Sequence, residues 1–479
     1  MSLLIENGTV LTGGKAAAVL TGHSVLIENG CITSIAPKNR FKRFAGKRID
    51  ATRKVVTPGF INAHTHFYST FARGLTKTKP AGNFVDVLKN LWWRLDSALS
   101  TEDCYYSALI ALLDSIRHGT TTLIDHHASP QAVRGSLPAI EKAVKQTGLR
   151  ACLCYELSDR DGARISKEGL EENVAFIRRC QKPEDRRRRA EDRGQNSAVQ
   201  GSRFKVQGSK FAALPQPSTL NPQPTTSALF GLHAAFTLKD ATLEKAAALG
   251  QELGTGFHIH VAEAESDQQY SQQKHHLRVV ERLHKFGILG PRSIAAHCVH
   301  VNRRELDILS RTQTAVVHNP QSNLNNAVGI ADVVFMAKRN VLVGLGTDAM
   351  TTNMLEELRV AVWAQHLRAQ DPSVGFSEVV SALIFNNPII AERTFNLSLG
   401  ELREGCPGDV VLIDYDPPTP LEADNSFGHI VFGMSQAAVD TTIVGGRVLM
   451  ENKRLTLDLD EPRINARARE LAAMLWKRL

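Results

Sequence analysis

Several short apolar segments of the chain end on histidines or acids that can bind a metal ion. VVTPGFINAHTH closes on His64 and His66, FHIHVAEA contains His260, and VLVGLGTD closes on Asp348. Because residues two apart in a strand point to the same side, His64 and His66 can face one ion. Neutral imidazoles with one carboxylate suit Zn²⁺, or alternatively Fe²⁺, and leave an open position for water. These four residues predict a site for one divalent metal ion that serves hydrolysis.

Hydrolysis also needs groups that move protons, and three candidates follow the same pattern. Asp348, beside the metal, can accept a proton from the attacking water. His297 in IAAHCVH can orient that water or stabilise charge on a tetrahedral intermediate, unless it is a structural part of its motif. Glu263 lies three residues past His260 and can protonate the leaving group. Its alternative role is that of a carboxylate at a helix start.

Polar residues at other strand ends predict the substrate side of the site. His233 in ALFGLHAAF points towards the same mouth, and His318 and Asn319 lie in the polar loop HNPQSNLNN. We predict that all three contact the substrate, although loop hydrogen bonding would also explain the last two. ALFGLHAAF has no lysine to bridge two ions, so one ion is preferred. His258, one step deeper than His260, is predicted to be structural. Four aromatic residues near the mouth could stack a flat ring, although the two tryptophans are equally compatible with helix packing: Phe67, Tyr68, Trp92 and Trp93.

Eight apolar segments must position these side chains, and helical patterns separate most of them. One predicted helix runs from an N-cap at Ser100 or Thr101 to Gly119. Strands alternating with helices indicate an α/β protein, and eight of them favour a (β/α)8 TIM-type barrel with its site at the C-terminal strand ends. An open doubly wound sheet would need a glycine-rich phosphate loop, and none is present. The predicted strands are 55–62, 120–125, 149–156, 228–234, 256–262, 293–299, 314–319 and 341–348.

The two ends of the chain share an alternating pattern that is typical of strands. LLIENGTVLT and SVLIENGCITSIA near the start resemble GDVVLIDYD and DTTIVGGRVLMEN near the end. We therefore predict a small β-sandwich subdomain built from 1–57 and 400–455, beside a barrel of 58–399. An amphipathic helix is predicted within 456–479 from the spacing of its apolar residues: Ile464, Ala468, Leu471 and Leu475.

Residues 183–227 interrupt the alternation of strands and helices. VQGSRFK is followed at once by VQGSKFA, and PQPSTLN by PQPTTSA. Two tandem duplications rich in Pro, Gln and Ser cannot bury enough apolar area to order themselves, so we predict a disordered insertion. A tolerated surface insertion is favoured over a binding segment.

The net charge of +8 does not indicate a nucleic-acid surface. Residues 181–227 hold nine Lys and Arg against four acids, so most of the excess lies in this segment rather than on a folded face. We expect no nucleic-acid partner, and the run from Arg186 to Arg189 is interpreted as a solvated tether. No apolar run reaches about 18 residues and no signal segment opens the chain, so no membrane partner is expected. Seven cysteines without zinc-knuckle spacing suit a reducing compartment, with cytoplasm as the expectation. A homo-oligomer is left open.

Five motifs in this order resemble the amidohydrolase superfamily: PGFINAHTH, HIHVAEA, AAHCVH, HNPQSN and LGTD. The resemblance is to the branch of triazine hydrolases and S-adenosylhomocysteine-type deaminases. HFYSTFARGL, KNLWWRLDSAL and LIDHHASP resemble the SsnA-type aminohydrolases within it. It implies one divalent metal on His64, His66, His260 and Asp348, with Glu263 and His297 in catalysis. Two departures are His-Ala-Ala at 233–235 for the usual His-Ala-Pro, and Ala349 for the usual Gly.

The sequence thus predicts hydrolytic deamination of a small N-heteroaromatic substrate that is purine-, pyrimidine- or triazine-like. One alternative is a hydrolase with another leaving group, such as halide or an amide nitrogen, which the surroundings of His126, His127 and His233 would decide. A second is a non-catalytic relative that keeps the fold for assembly. That relative would be expected to have lost ligands, and none is missing here.

Overall fold

The computed structural model describes residues 2–14, 17–76, 78–181 and 225–479. Its strands are Ser2–Glu6, Thr9–Leu11, Val19–Leu20, His23–Glu28, Cys31–Pro37, Lys47–Asp50, Val55–Pro58, Phe60–Thr65, Thr120–Asp125, Arg150–Leu153, Thr226–Ala228, Phe230–Ala234, Phe257–Val261, Ile294–His297, Ala315–His318, Val343–Leu345, Val410–Ile413, Val439–Val444, Arg447–Glu451 and Arg454–Leu455. Its α-helices are Phe84–Val87, Trp93–Ala98, Thr101–Arg117, Ser136–Thr147, Ala163–Cys180, Asp240–Leu253, Glu265–His275, Val279–Lys285, Arg303–Thr312, Pro320–Asn325, Val333–Lys338, Met354–Ala369, Phe376–Ser381, Asn387–Phe395, Ser426–Phe432 and Glu461–Arg478.

Two parallel sheets form the centre of the protein, and each strand pairs with the next one along the chain. The first sheet contains Phe60–Thr65, Thr120–Asp125, Arg150–Leu153 and Thr226–Ala228. The second contains Phe230–Ala234, Phe257–Val261, Ile294–His297, Ala315–His318 and Val343–Leu345. Nearly all residues of these strands are buried, as expected where helices cover a parallel sheet on its faces. Consecutive parallel strands with helical crossovers place all C-terminal strand ends on one side.

Backbone hydrogen bonds also connect the edges of these two sheets. The His233 amide donates to Leu157 O at 2.9 Å. This hydrogen bond links the strand Phe230–Ala234 to the chain that follows the strand Arg150–Leu153. At the other edges, the amides of Thr347 and Asp348 both donate to His64 O at 3.0 Å. The last strand therefore lies beside the first, and this brings Asp348 next to His64.

The predicted first strand, 55–62, is in fact two strands in two sheets. Val55–Pro58 pairs antiparallel with Val410–Ile413, whereas Phe60–Thr65 pairs parallel with Thr120–Asp125. The chain changes sheets at Gly59, where a Cβ atom would lie 2.2 Å from Thr121 Oγ1, so only glycine fits. Both strands are apolar and buried, and the sequence pattern alone did not separate them.

Most of the predicted insertion, 183–227, lies outside the described residues. Its last three residues, 225–227, are described, and two of them belong to Thr226–Ala228, a strand that pairs in parallel with Arg150–Leu153. The predicted end of the insertion at 227 is therefore corrected: the sheet already includes Thr226.

Both chain ends contribute to two further sheets. Ser2–Glu6 lies between His23–Glu28 and Lys47–Asp50 in a four-stranded sheet. In a seven-stranded sheet, Val55–Pro58 joins strands from the N-terminal part to Val410–Ile413 from the C-terminal part. Side chains from both sheets share one apolar cluster, which includes Leu3, Ile5, Val25, Ile27, Val56, Val410 and Leu412. Strands from the two ends of the chain thus pair in one sheet and share an apolar cluster.

Two predicted helices are present near their predicted bounds. Thr101–Arg117 starts at Ser100, whose hydroxyl accepts from the Asp103 amide while the Asp103 carboxylate accepts from the Ser100 amide. Glu461–Arg478 buries Leu471 and Leu475, as its spacing predicted. In the described ranges, no helix combines the length and hydropathy needed to cross a bilayer.

Candidate active site

The predicted ligands and proton-transfer groups meet at the C-terminal ends of the central strands. His64 lies in Phe60–Thr65 and His66 directly follows it, while His260 and His297 lie in the next sheet. Asp348 follows Val343–Leu345 and is linked to His64 by the backbone hydrogen bond described above. The strand alternation places the side chains of His64 and His66 on one side, with ring centroids 4.9 Å apart.

Acceptor atoms converge between these side chains. His66 Nε2 lies 2.9 Å from Asp348 Oδ1 and 3.2 Å from His260 Nε2, and His64 Nε2 lies 3.6 Å from Asp348 Oδ1. Ligands 2.0–2.1 Å from a tetrahedral Zn²⁺ are roughly 3.3 Å apart, so these separations fit one shared cation.

The opposite nitrogen of each ring fixes which atom can bind a cation. His66 Nδ1 lies 2.5 Å from His126 O, and His260 Nδ1 lies 2.8 Å from His233 O. A carbonyl oxygen only accepts, so both Nδ1 atoms carry the proton and both Nε2 atoms present lone pairs. His64 Nδ1 is 2.8 Å from His258 Nε2. In the described part of the chain no acceptor or donor lies within 3.5 Å hydrogen-bond range of the buried His64 Nε2, and Asp348 Oδ1 is 3.6 Å away.

These protonation states fit a divalent metal ion. Three Nε2 lone pairs and a carboxylate oxygen would repel one another unless a positive charge lies between them. Burial lowers the pKa of His64 to about 4, so this ring is neutral and ready to act as a ligand at pH 7. Although burial opposes it, hydrogen bonding and charge from Asp348 and Glu156 hold the pKa of His66 well above its usual range, so without a metal ion this ring takes up a second proton on Nε2, at the position where a bound cation would lie. The carbonyl and imidazole acceptors on the Nδ1 side are the supports that metal-binding histidines usually have.

Glu263 and His297 lie side by side next to this cluster. His297 Nε2 is 3.5 Å from Glu263 Oε2, and Asn326 Nδ2 donates to Glu263 Oε1 at 3.2 Å. Burial, together with the charges of Asp348 and Asp267, raises the pKa of Glu263 well above its usual value. Glu263 therefore keeps its proton at pH values well above those at which a carboxyl group normally ionises, as a general acid requires.

The tautomer of His297 is determined by the hydrogen bond at its Nδ1 atom. Asn323 Nδ2 lies 2.8 Å from His297 Nδ1 and donates to it, so the ring proton is on Nε2, which faces Glu263 and Asp348. Burial lowers the pKa of His297 well below its usual value, and the ring is neutral. A neutral imidazole with its N–H directed into the site can stabilise a developing negative charge.

Asp348 is held ionised and in place. Burial opposes its ionisation, but hydrogen bonding to His64 and His66 keeps the pKa of Asp348 well below its usual value. The Ser322 hydroxyl donates to Asp348 Oδ2, while Oδ1 faces the histidines. Asp348 is thus an acceptor at neutral pH.

Backbone conformation at the strand ends is unusual in the same place. Ala262, His297, Cys298 and Asp348 are not glycines, yet they have φ angles of 46°, 72°, 52° and 53°. This left-handed region is uncommon for such residues and persists where surrounding contacts impose it. Here it turns the chain at the ends of Phe257–Val261, Ile294–His297 and Val343–Leu345.

A pocket of about 570 Å³ opens onto the cluster. Its inner end is lined by His66, His260, Glu263 and Asp348, and its outer part by Phe84, Leu88, Trp92, Trp93 and Phe236. Asp96 lies in the outer part and is paired with Arg160, whose guanidinium stacks over Trp93 at 5.3 Å. Tyr68, Trp92 and Trp93 line the pocket as the sequence suggested, whereas the buried Phe67 does not.

Among the predicted substrate residues, His233 lines the pocket and the other two do not. His318 is buried, and neither of its ring nitrogens has a hydrogen-bond partner in the described part of the chain. Asn319 is buried behind the site, with its Nδ2 3.5 Å from His297 Nδ1. The short helix Pro320–Asn325 follows immediately and turns this segment beneath the strand ends. Substrate contact by His318 and Asn319 is thus a prediction that this geometry disfavours.

The other histidines support the site from below. His126 is fully buried and stacks on His258 at 4.4 Å, and the His126 carbonyl accepts from His66. His127 lies 3.0 Å from Ser129 Oγ. Neither His126 nor His127 lines the pocket.

Glu156 is an acid of the pocket that was not singled out from the sequence. Glu156 is the last residue of the predicted third strand, LRACLCYE; its side chain is 2% exposed, and it lines the pocket together with His233. Burial would raise the pKa of Glu156, but the hydrogen bond and charge of His66 lower it to about 2. The available signal was an acid at a strand's C-terminal end, the same signal that identified Asp348.

The site and the fold are those of a metal-dependent hydrolase. The profile of the amidohydrolase family matches residues 55–449, and the chain belongs to this family. The resemblance stated from the motifs is confirmed.

Relatives match along almost the whole chain. The sequence is 31% identical over 474 residues to the 5-methylthioadenosine/S-adenosylhomocysteine deaminase of Carboxydothermus hydrogenoformans, covering 98% of this chain and 97% of that protein. It is 30% identical over 454 residues to the 5'-deoxyadenosine deaminase of Methanobrevibacter smithii, covering 93% and 92%.

Solved structures share the fold. An adenosine deaminase from Xanthomonas campestris with bound zinc superposes with a TM-score of 0.80 at 22% identity, covering 99% of this chain and 98% of that one. Atrazine chlorohydrolase TrzN from Arthrobacter aurescens TC1, complexed with zinc, gives a TM-score of 0.77 at 20% identity, covering 98% and 100%.

Proposed function

We propose that this protein hydrolytically deaminates a small N-heteroaromatic amine of purine, pyrimidine or triazine type. The observation that carries the proposal is a cation-demanding cluster of three imidazoles and one carboxylate directly beside a carboxyl group, Glu263, whose pKa is raised. The names of the relatives, both deaminases of adenine-containing compounds, support the same reaction.

His64, His66, His260 and Asp348 are the proposed ligands of one divalent ion, with Zn²⁺ favoured over Fe²⁺. Three nitrogens and one oxygen at these separations suit tetrahedral zinc, and two structural neighbours contain zinc. When bound, such an ion lowers the pKa of a water molecule and so supplies a nucleophile at neutral pH.

The chain's own residues complete the reaction. Asp348, ionised, takes a proton from the water whose oxygen attacks the amine-bearing ring carbon. Glu263 donates its proton to the adjacent ring nitrogen, and the neutral His297 stabilises the developing charge through Nε2–H. Asp348 then passes its proton to the amine, the carbon–nitrogen bond breaks, and ammonia leaves. The hydroxyl proton of the intermediate returns to Glu263 as the ring carbonyl forms. Asn323 and Asn319 position His297, and Ser322 positions Asp348.

The outer pocket suits a flat ring. Trp92, Trp93 and Phe236 line it, and aromatic walls bind heterocycles by stacking.

The finer architecture is also a proposal. The hydrogen bonds that link both edges of the central sheets support one closed (β/α)8 barrel over 58–399. The apolar cluster shared by the terminal sheets supports a β-sandwich subdomain of 1–57 and 400–455, followed by the helical segment 456–479. Six free thiols support a reducing compartment such as the cytoplasm: Cys104, Cys152, Cys154, Cys180, Cys298 and Cys406.

The test combines metal analysis with ammonia release. Purified protein is loaded with Zn²⁺ or Fe²⁺, its metal content is measured, and aminated purines, pyrimidines and triazines are assayed for ammonia. One ion per chain and turnover of at least one amine are expected. Stoichiometric metal with no ammonia from any compound would refute deamination, and release of halide instead would favour another leaving group. A protein that does not retain metal would refute the ligand set.

A further inference from the structure

Glu156 is a buried carboxylate whose hydrogen bonding within the described residues is incomplete. Its side chain is 2% exposed, and Oε1 has no hydrogen-bond partner in the described ranges. His66 Nδ1 is 3.2 Å away, but its single proton points to His126 O at 2.5 Å. A buried charge left without a donor is costly, so such groups usually face a partner that arrives from outside.

His233 provides a second hydrogen-bond acceptor, its Nε2 atom, close to the Glu156 carboxylate. The Thr237 hydroxyl donates its one proton to Ala234 O at 3.0 Å, so it accepts at 2.9 Å from His233 Nδ1, which must carry the ring proton. His233 Nε2 therefore presents a lone pair, and it lies 3.7 Å from Glu156 Oε2. Two acceptors face each other across a gap too wide for a direct hydrogen bond.

We propose that Glu156 and His233 form an acceptor pair that receives an N–H donor of the substrate's heterocycle and so determines specificity. The proposal rests on the proposed deamination and narrows its substrate class. Heterocyclic amines with a ring N–H of lactam type are selected over rings whose edge carries only lone pairs.

The position of the pair restricts the donor to the ring itself. Ligand atoms of Glu156, His233 and His260 all lie within 4.8 Å of one another, and His260 belongs to the proposed metal cluster. The donor must therefore lie close to the reacting carbon, and a sugar or other substituent beyond the far edge of the ring is too distant.

A second cation fits this position less well than an N–H group. His260 uses Nδ1 to donate to His233 O and turns Nε2 towards His66. Only Glu156 and His233 remain as ligands, fewer than the three protein ligands that catalytic zinc sites provide. A hydrogen-bond donor needs no more than these two acceptors.

The experiment uses matched pairs of amines. Guanine and 2-aminopurine both carry the amine on C2, but only guanine has an N1–H; isocytosine and 2-aminopyrimidine differ in the same way. The metal-loaded wild type, Glu156→Ala and Glu156→Gln are compared by kcat/KM for ammonia release and, separately, by calorimetric binding. Glu171→Gln, a half-exposed carboxylate on the outer helix Ala163–Cys180, is the control.

We expect the wild type to prefer the N–H member of a pair. Glu156→Ala should reduce kcat/KM and affinity for that member by about 10- to 100-fold, the usual effect of losing a charged hydrogen bond, and leave its partner nearly unchanged. Glu156→Gln keeps the side-chain volume and should show a smaller loss, whereas Glu171→Gln should show none. Metal content should stay at the wild-type value in all variants.

Three results would overturn the proposal. Equal losses of kcat/KM and affinity for both members of each pair would show that Glu156 does not bind the ring N–H. Loss of metal in Glu156→Gln would show that Glu156 acts through His66 or holds an ion. Binding of neither member of either pair would remove the proposed substrate class. Selective binding without ammonia would instead support the acceptor pair and refute deamination.

Discussion

Replacing Glu263 by glutamine tests the proposed general acid most directly. The amide has nearly the same volume, and its oxygen can still accept from Asn326 Nδ2, which lies 3.2 Å from the carboxyl oxygen. What is removed is the proton that the raised pKa keeps on Glu263. The metal ligands are untouched, so the variant should bind metal as the wild type does.

The expected magnitude follows from that single missing proton transfer. Removing a general acid or base lowers rates by about 10²–10⁴-fold, or about 2.7–5.5 kcal/mol of activation free energy. The reduction should fall on kcat, because the substrate can still stack in the unchanged outer pocket.

The pH dependence adds a second, independent expectation. An acid works only while it is protonated, so wild-type kcat should fall as pH rises through the raised pKa of Glu263. This limb should be absent in Glu263→Gln, because an amide does not titrate. Glu265→Gln, an exposed carboxylate two residues away, should retain both the rate and the limb.

The assay is ammonia release by metal-loaded protein over a pH series, with metal content measured on the same samples. A variant that retains metal and loses less than about tenfold in kcat would refute the assignment of Glu263 as the acid. An unchanged alkaline limb in Glu263→Gln would assign that limb to another group.

Three other changes give distinct outcomes. His64→Ala removes a neutral ligand and should abolish stoichiometric metal binding, whereas the exposed His284→Ala should not, as elemental analysis would show; full occupancy in His64→Ala would contradict the ligand set. Asp348→Asn keeps a ligand oxygen but loses the proton acceptor, so turnover should vanish while some metal stays bound, and measurable turnover would exclude Asp348 as the base. Deleting 199–224 should change kcat by less than about twofold, since surface insertions are tolerated, and a loss of folding by circular dichroism would refute the interpretation of this segment.

The metal cluster could be predicted because each proposed ligand is recognisable from its own short stretch of sequence. His64 and His66 are two apart on a β-branched strand, and Asp348 is the acid that ends the last strand. Parallel strands connected in order bring their C-terminal ends together, so ligands far apart in sequence meet without any further information.

What the sequence did not give depends on contacts between segments. The surroundings of Glu156 depend on where two neighbouring histidines donate their protons. His66 donates to the His126 carbonyl and His233 donates to Thr237. The segment LRACLCYE contains no information about either hydrogen bond. Asn319 is predicted to contact the substrate, with hydrogen bonding in a polar loop as the alternative; in the structure its Nδ2 lies 3.5 Å from His297 Nδ1, just before the helix that starts at Pro320.

The pattern of apolar residues also did not show which sheet each strand belongs to. VVTP and FINAHT are equally apolar, and only the tertiary structure shows that Gly59 separates an antiparallel strand from a parallel one. PQPTTSA repeats the preceding segment in composition, yet its Thr226 pairs with Ala151 at the sheet edge.

The antiparallel pairing of Val55–Pro58 with Val410–Ile413 has a consequence for biosynthesis. The segment that leads into the two N-terminal histidines lacks this neighbour until residue 413 has been translated and has left the ribosome. A nascent chain can therefore complete its metal-binding cage only late, after almost all of the polypeptide is available. A product that ends upstream of that point lacks this pairing, and we expect it to bind the proposed ion less well although all four proposed ligands are present.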